Sequence, residues 1–341
     1  MKIAVLCGGI SCERNVSYAG GKAVTEALQL KGHEAIPIDP AFGDDLEKQN
    51  QLKHILNDIS KYPTLEELHQ YSTKKIIDCI NSSLFDDIEC AFIVLHGPNG
   101  EDGLVQALLE LRKIPYTGSG VRASSTAINK AATKIMMEAG GIMTPPWTIV
   151  HKDQLDDLTL FEEIRSYLGE NMIVKPSNQG STFGITHLES GILDEMQEAA
   201  QKAAEYSNTI LFEKFIEGRE ITVAIIGGKA YPIVEIIPEG GFYDYDAKYV
   251  GGGTVYECPA DIDENVAEFT QEQALHLNNL LGCQGFTRAD FRLDEDLQAY
   301  CLEINTIPGF TSRSLVPMAA KEEGIEFPEL CQMIIDIAMK R

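Results

Sequence analysis

Lys2-Ile3-Ala4-Val5-Leu6-Cys7-Gly8-Gly9 is the stretch from which the fold can be read. It is a short apolar run, partly β-branched, closed by two glycines, and such a run reads as a parallel strand buried on both faces. Residues 17 to about 30 follow with helical spacing (Ala19, Ala23, Val24, Ala27, Leu28), and Lys31-Gly32 stops that helix. Ala35–Ile38 makes a second strand. Cys90–Leu95 makes a third, leading through the polar loop His96–Gly103 into a helix that runs to about Leu111. Strand–helix–strand alternation implies an α/β, doubly wound parallel sheet. Residues 41 to 87 interrupt it with polar, weakly amphipathic sequence, expected to be a helical excursion on the surface that carries no chemistry.

Further along, strands are expected at Asn171–Lys175, Thr209–Phe215, Ile221–Ile226, 286–293 and 299–305, with a helix near Asn129–Glu138 and a terminal one reaching Met339. Thr117-Gly118-Ser119-Gly120 is a plausible first boundary. A chain of 341 residues is expected to form two or three domains. Hydrophobic residues are 44% and charged residues 23%, ordinary for a globular protein with a large core. The apolar start ends at Gly8-Gly9, before Glu13 and Arg14, too soon for a secretory h-region. No run approaches the length of a membrane span.

Eight cysteines lie scattered, without CxxC or zinc-type spacing, and are expected to be reduced thiols buried as small hydrophobes, as in a reducing cytosol. The net charge of −24 opposes nucleic-acid binding. It does not oppose ATP, which needs only a few placed cations.

The richest chemistry lies in Phe286–Arg292 and Tyr300–Asn305. Side chains alternate along a strand, so Arg288 and Asp290 share one face while Ala289, Phe291 and Leu293 share the other. Glu303 and Asn305 share a face likewise, with Leu302 and Ile304 expected behind. If Asp294–Gln298 joins the strands as a hairpin, two carboxylates and an amide oxygen converge, a hard-oxygen set suited to Mg²⁺. A solvated sheet face gives the same alternation. Val174-Lys175 runs into the small-residue loop 177–184, which could cradle phosphate, although it is no GxxxxGK[ST] loop. Glu213 and Glu220 could contact ribose and adenine, or be exposed acids at a turn. Residues 240–253 set three tyrosines between glycine clusters, the composition of a hinged lid or of an ordinary loop. Gly8–Glu13 is not GxGxxG, so a dinucleotide oxidoreductase fits poorly.

Taken in order, these motifs resemble the D-alanine–D-alanine ligase family of ATP-grasp enzymes. The resemblance rests on Gly8–Ser17, His96–Gly103, Tyr116–Gly120, Val174–Ser181, Tyr243–Tyr249, Glu303–Gly309 and Ser314–Met318, and it covers the chain apart from 41–87. It implies an N-terminal α/β domain over 1–118 followed by a two-lobed, α+β ATP-grasp body, with a central lobe over 119–216 and a C-terminal lobe over 217–341. The lid would occupy about 240–256.

The resemblance also implies roles. Glu13 would bind the first ammonium and hydrogen-bond with Ser181 and Tyr249, while His96 lines the same pocket. Arg288 would stabilise the tetrahedral intermediate. Gly309, Ser314 and Leu315 would hold the second amino acid. Lys130, Lys175 and Lys248 would contact phosphates, and Glu213, Phe215, Ile216 and Glu220 would hold adenine and ribose. Asp290, Glu303 and Asn305 would hold two Mg²⁺, with Mn²⁺ as a substitute. The implied product is D-alanyl-D-alanine for peptidoglycan precursors, made by a cytoplasmic homodimer from D-alanine and ATP. D-Serine, D-lactate or another amino acid is the alternative acceptor. Arg313 departs from the family's usual His and bears on acceptor identity, Tyr249 favours alanine, and Phe215 stands where Trp is frequent.

Overall fold

The computed structural model describes residues 1–56, 65–68, 70–180, 183–239 and 253–340. The opening run is strand β1 (Lys2–Leu6), flanked in parallel by β2 (Glu34–Ile38) and β3 (Cys90–Ile93) in the order β2-β1-β3. Its alternation feeds two cores. Ile3 and Val5 face Val24 and Leu28 of α1 (Arg14–Leu30), while Ala4 and Leu6 face Ile80 and Leu109 on the opposite side. The doubly wound arrangement expected from the sequence is therefore present.

Segment 41–87 departs from its expected place. It forms α2 (Leu46–Ile55), α3 (Leu65–Leu68) and α4 (Thr73–Asn81), but it is no mere surface excursion. Leu52, Cys79, Ile80 and Phe85 are essentially inaccessible and join the two cores flanking β1. Its apolar residues are sparse, so its pattern is weak, yet these four are packed inward while Leu46 and Ile77 stay exposed.

Helices α5 (Leu104–Leu111), α6 (Val121–Ala127) and α7 (Lys130–Ala139) lead to a four-stranded antiparallel sheet, β4-β7-β5-β6, built from Trp147–His151, Thr209–Lys214, Met172–Pro176 and Thr186–Leu188. Its outer face packs Val174 and Phe212 on α8 (Leu158–Leu168) and α9 (Leu193–Ala203). The last sheet runs β11-β10-β8-β12-β13, from Val255–Glu257, Val234–Ile237, Arg219–Ile226, Phe286–Leu293 and Ala299–Asn305, with the short β9 (Lys229–Ala230) beside β8. One face of it covers α10 (Glu264–Leu281) through Val223, Ala289 and Phe291. The other face meets α11 (Leu315–Glu322) and α12 (Phe327–Ala338), which pack against the parallel sheet in the same core.

Phe310 ties these layers together, with ring centroids 5.7 Å from Phe92, 4.9 Å from Phe286 and 5.4 Å from Phe327. All eight cysteines are free thiols. No helix among the described residues is long and apolar enough to cross a membrane. Replacing Phe310 by Ala should lower the unfolding free energy by about 3–5 kcal/mol in urea titration; a loss of under about 1 kcal/mol would show that the layers are not joined there.

Candidate active site

Strands β12 and β13 pair antiparallel, with Arg288 opposite Asn305 and Asp290 opposite Glu303, and the register slips between Asp290 and Phe291. Leu302 is the extra residue of this bulge, so Cys301 and Ile304 fill the core behind the site rather than Leu302 and Ile304. A bulge adds a residue to one strand and breaks simple alternation. The expected convergence nonetheless holds. Arg288 grips Asp290 with Nε and Nη2 at 2.7 Å each. Thr222 donates its hydroxyl to Asp290 at 2.7 Å, and Asn305 Nδ2 donates at 2.9 Å. Lys130 Nζ stands 3.0 Å from Glu303 and donates to the Gln179 carbonyl at 2.5 Å.

The two carboxylates are thus each neutralised by a cationic side chain. Two carboxylates and an amide oxygen on one sheet face are hard ligands, too few to enclose an ion but enough to share one with phosphate oxygens and water. Among the described residues no cluster of three or more His, Cys, Asp or Glu offers a complete metal cage.

A cavity of about 240 Å³ opens on this face. Glu13 and His96 line one part of it, Arg288, Glu303 and Asn305 another, and Gly309, Arg313, Ser314 and Leu315 a third. Glu13 sits at the entry to α1, and its carboxylate is wedged between two glycine loops. A Cβ on Gly97 would lie 3.2 Å from Glu13 Oε2, and one on Gly180 only 3.0 Å away. His96 is buried, hydrogen-bonds the Ile307 backbone and has no partner for Nε2 among the described residues. Burial holds its pKa below the ordinary histidine value, against the pull of Glu13, so the ring enters the cavity neutral at physiological pH. Ser314 accepts the Thr311 N–H at 2.9 Å and stands at the N-cap position of α11 without a side-chain capping bond, and it lines the cavity with Leu315.

A smaller cleft lined by Lys130, Gly180, Glu303 and Asn305 adjoins the first. Beyond it, β5 and β7 place Ile173 opposite Glu213 and Lys175 opposite Leu211, so Lys175 and Glu213 are diagonal neighbours on one face. Lys175 donates to Glu213 at 2.9 Å, and Lys134 from α7 pairs with the other oxygen of the same carboxylate. Glu213 therefore anchors two lysines in a buried site instead of presenting its carboxylate at an open turn. Arg292 donates to the carbonyls of Ile216 and Gly218 at 3.0 Å each, pairs with Glu220 at 3.3 Å, and lies 4.8 Å over the Phe215 ring. Ser181, Lys248, Tyr249 and most of the expected lid lie outside the described residues.

Residues 2–119 match the family model described as D-ala D-ala ligase N-terminus, and residues 136–336 match D-ala D-ala ligase C-terminus. The chain belongs to the D-alanine–D-alanine ligase family. The D-alanine–D-alanine ligase of Nitrosomonas europaea is 40% identical over 337 residues, 99% of this chain and 97% of that one. Among solved structures, the D-alanine–D-alanine ligase of Bacillus anthracis complexed with ATP matches with a TM-score of 0.74 and 27% identity, covering 100% of this chain and 98% of the other. The VanG D-Ala:D-Ser ligase of Enterococcus faecalis matches with a TM-score of 0.77 and 28% identity over 99% of each chain.

Three residues of this ligase escaped the sequence reading. Glu101 accepts the Gly97 N–H at 2.7 Å and lines both cavities. Burial and the nearby Glu13 push its carboxyl well above the ordinary range, against the pull of Gly97 and Lys130. Lys134 lies one helical turn beyond Lys130 on the same face of α7, a spacing that could have flagged it. Arg292 continues the alternation of Arg288 and Asp290.

Burial raises the Glu213 pKa, but Lys134 and Lys175 outweigh it and leave the value below the ordinary one. A depressed carboxyl stabilises the fold above its unfolded pKa, about 4.3, and that contribution is lost as pH falls through the folded value. Glu213→Gln should therefore cost about 3–5 kcal/mol at pH 7, measured by urea unfolding, and less near pH 3. An equal cost at both pH values would exclude an ionised Glu213.

Proposed function

We propose that this protein joins two D-alanines into D-alanyl-D-alanine at the expense of ATP, releasing ADP and phosphate. The observation that carries the reading is the single cavity in which Glu13, Arg288 and the start of α11 meet. These groups suit an ammonium, a developing oxyanion and a carboxylate, in that order. The matching Bacillus anthracis ligase complexed with ATP supports the nucleotide.

Glu13 holds the ammonium of the first D-alanine, with the neutral His96 against it. An oxygen of that D-alanine's carboxylate attacks the γ-phosphorus and ADP leaves, giving D-alanyl phosphate. Lys130 and Lys175 face the phosphates, with Lys248 as a third contact. The Phe215–Ile216 backbone and Glu220, braced by Arg292, hold adenine and ribose, while Glu213 acts through its two lysines. Asp290, Glu303 and Asn305 would hold two Mg²⁺, for which Mn²⁺ could substitute, and these ions would supply charge neutralisation at the transferring phosphoryl group.

Gly309, Ser314 and the α11 N-terminus beside Leu315 hold the carboxylate of the second D-alanine. Its amine, once deprotonated, attacks the acyl carbon. Arg288 neutralises the tetrahedral oxyanion, and phosphate departs with the former carboxylate oxygen. Ser181 and Tyr249 close the donor pocket through Glu13. The enzyme works as a cytoplasmic homodimer and supplies dipeptide for the cell-wall precursor.

With ATP, Mg²⁺ and D-alanine alone, dipeptide and phosphate should form in equal amounts. D-Serine and D-lactate should be poorer acceptors in competition with D-alanine. No turnover on D-alanine alone would sink the reading. Arg288→Ala should reduce kcat by about 10²–10³ while the Kd for ATP stays within about threefold; retention of most turnover would remove Arg288 from the oxyanion role.

A further inference from the structure

The residue after Glu13 belongs to a buried assembly that the proposed reaction leaves unused. Arg14 is 5% exposed, and its guanidinium is bound by the fully buried Asp39 and by the Gly9 carbonyl. Three aromatic rings enclose it: Tyr71 at 4.5 Å, Tyr18 at 4.9 Å and Phe42 at 5.3 Å from the guanidinium carbon. Asp39 also accepts from the Tyr18 hydroxyl at 2.5 Å, from Gly9 N–H at 3.0 Å and from Ala41 N–H at 2.9 Å. Gln49 locks the Asp39 backbone in both directions, accepting its N–H at 3.0 Å and donating to its carbonyl at 2.9 Å.

Phe42, Gln49 and Tyr71 all come from segment 41–87, whose sequence carries no catalytic motif. Arg14 and Asp39 grip Gly9 from its carbonyl and its N–H respectively, and Ser17 accepts the Gly8 N–H at 2.9 Å while donating to Val94 at 2.6 Å. The loop 8–13 is thus held at its start and at its end. Glu13 ends that loop, and its carboxylate has little room between Gly97 and Gly180. A displacement of a few tenths of an ångström in the loop would press it into one glycine or withdraw it from the cavity.

We infer that Arg14 is a positioning residue for the donor-ammonium subsite, and that segment 41–87 serves catalysis by closing Phe42 and Tyr71 over its guanidinium. This rests on the reading of Glu13 as the ammonium anchor. Cation–aromatic attraction is strongest when the cation is dehydrated, as it is here, so removing one ring lets water reach Arg14 and slackens the loop. Tyr71 is half-buried and lies away from the cavity, which makes it the least disruptive ring to remove.

The test compares wild type, Tyr71→Ala, Tyr71→Phe and Phe42→Leu. Titration calorimetry with D-alanine in the presence of a non-hydrolysable ATP analogue reads the first subsite, and steady-state rates read kcat. Tyr71→Ala should weaken D-alanine binding about tenfold, the scale on which misplacement of a binding group acts. Its affinity for the analogue and its kcat at saturating D-alanine should stay within about twofold of wild type, and Tyr71→Phe, which keeps the ring, should restore binding. Phe42→Leu should shift D-alanine binding in the same direction as Tyr71→Ala. Unchanged D-alanine affinity in both ring-deleted variants overturns the inference. So does a parallel loss of affinity for the analogue, which would mark a general loss of structure. If wild type itself neither binds D-alanine nor makes dipeptide, it is the functional reading that fails.

Discussion

Everything at the site hangs on the Asp290 carboxylate. It takes two hydrogen bonds from Arg288, one from Thr222 on the neighbouring strand and one from Asn305 across the hairpin. These bonds join β8, β12 and β13 at one point, and they set the direction of Arg288, which lines the main cavity from this sheet face. A one-residue slip in strand pairing would turn all of these groups into the core. The apolar face behind them, with Ala289, Phe291, Cys301 and Ile304 packed on α10, prevents that slip.

The same logic of mutual neutralisation recurs around the site. Lys130 meets Glu303, Lys134 and Lys175 share Glu213, and Arg14 meets Asp39. Each pair is largely withdrawn from water, where an unpaired charge would be costly. In a chain of net charge −24, such pairing lets cations be held at fixed places in the interior. Lys134 and Lys175 converge on the one carboxylate of Glu213, and burial lowers the Lys134 pKa against the pull of that carboxylate.

Local periodicity made much of this legible. The alternation of Arg288 with Asp290, the buried run at β1 and the helix expected near Asn129–Glu138 are all short-range patterns, and each is found, the last as Lys130–Ala139. The Leu302 bulge was not legible, because alternation assumes one residue per step on both strands. Segment 41–87 misled for another reason. Its few apolar residues sit at weakly periodic positions, yet tertiary packing draws Leu52, Cys79, Ile80 and Phe85 inward. The pairings of Arg14 with Asp39 and of Lys134 with Glu213 join separate elements, and no single stretch of sequence displays them. Ser181 and Tyr249 carry much of the family resemblance but fall outside the described residues.

The central claim is that a D-alanine carboxylate oxygen attacks the γ-phosphate, so that this oxygen ends in phosphate when the amine displaces it. Turnover of D-alanine labelled with ¹⁸O in its carboxylate, followed by mass spectrometry of the phosphate released, tests this directly. The account predicts one labelled oxygen in each phosphate formed with the dipeptide. Phosphate without label would mean that water, not D-alanine, attacks ATP, and would contradict the account.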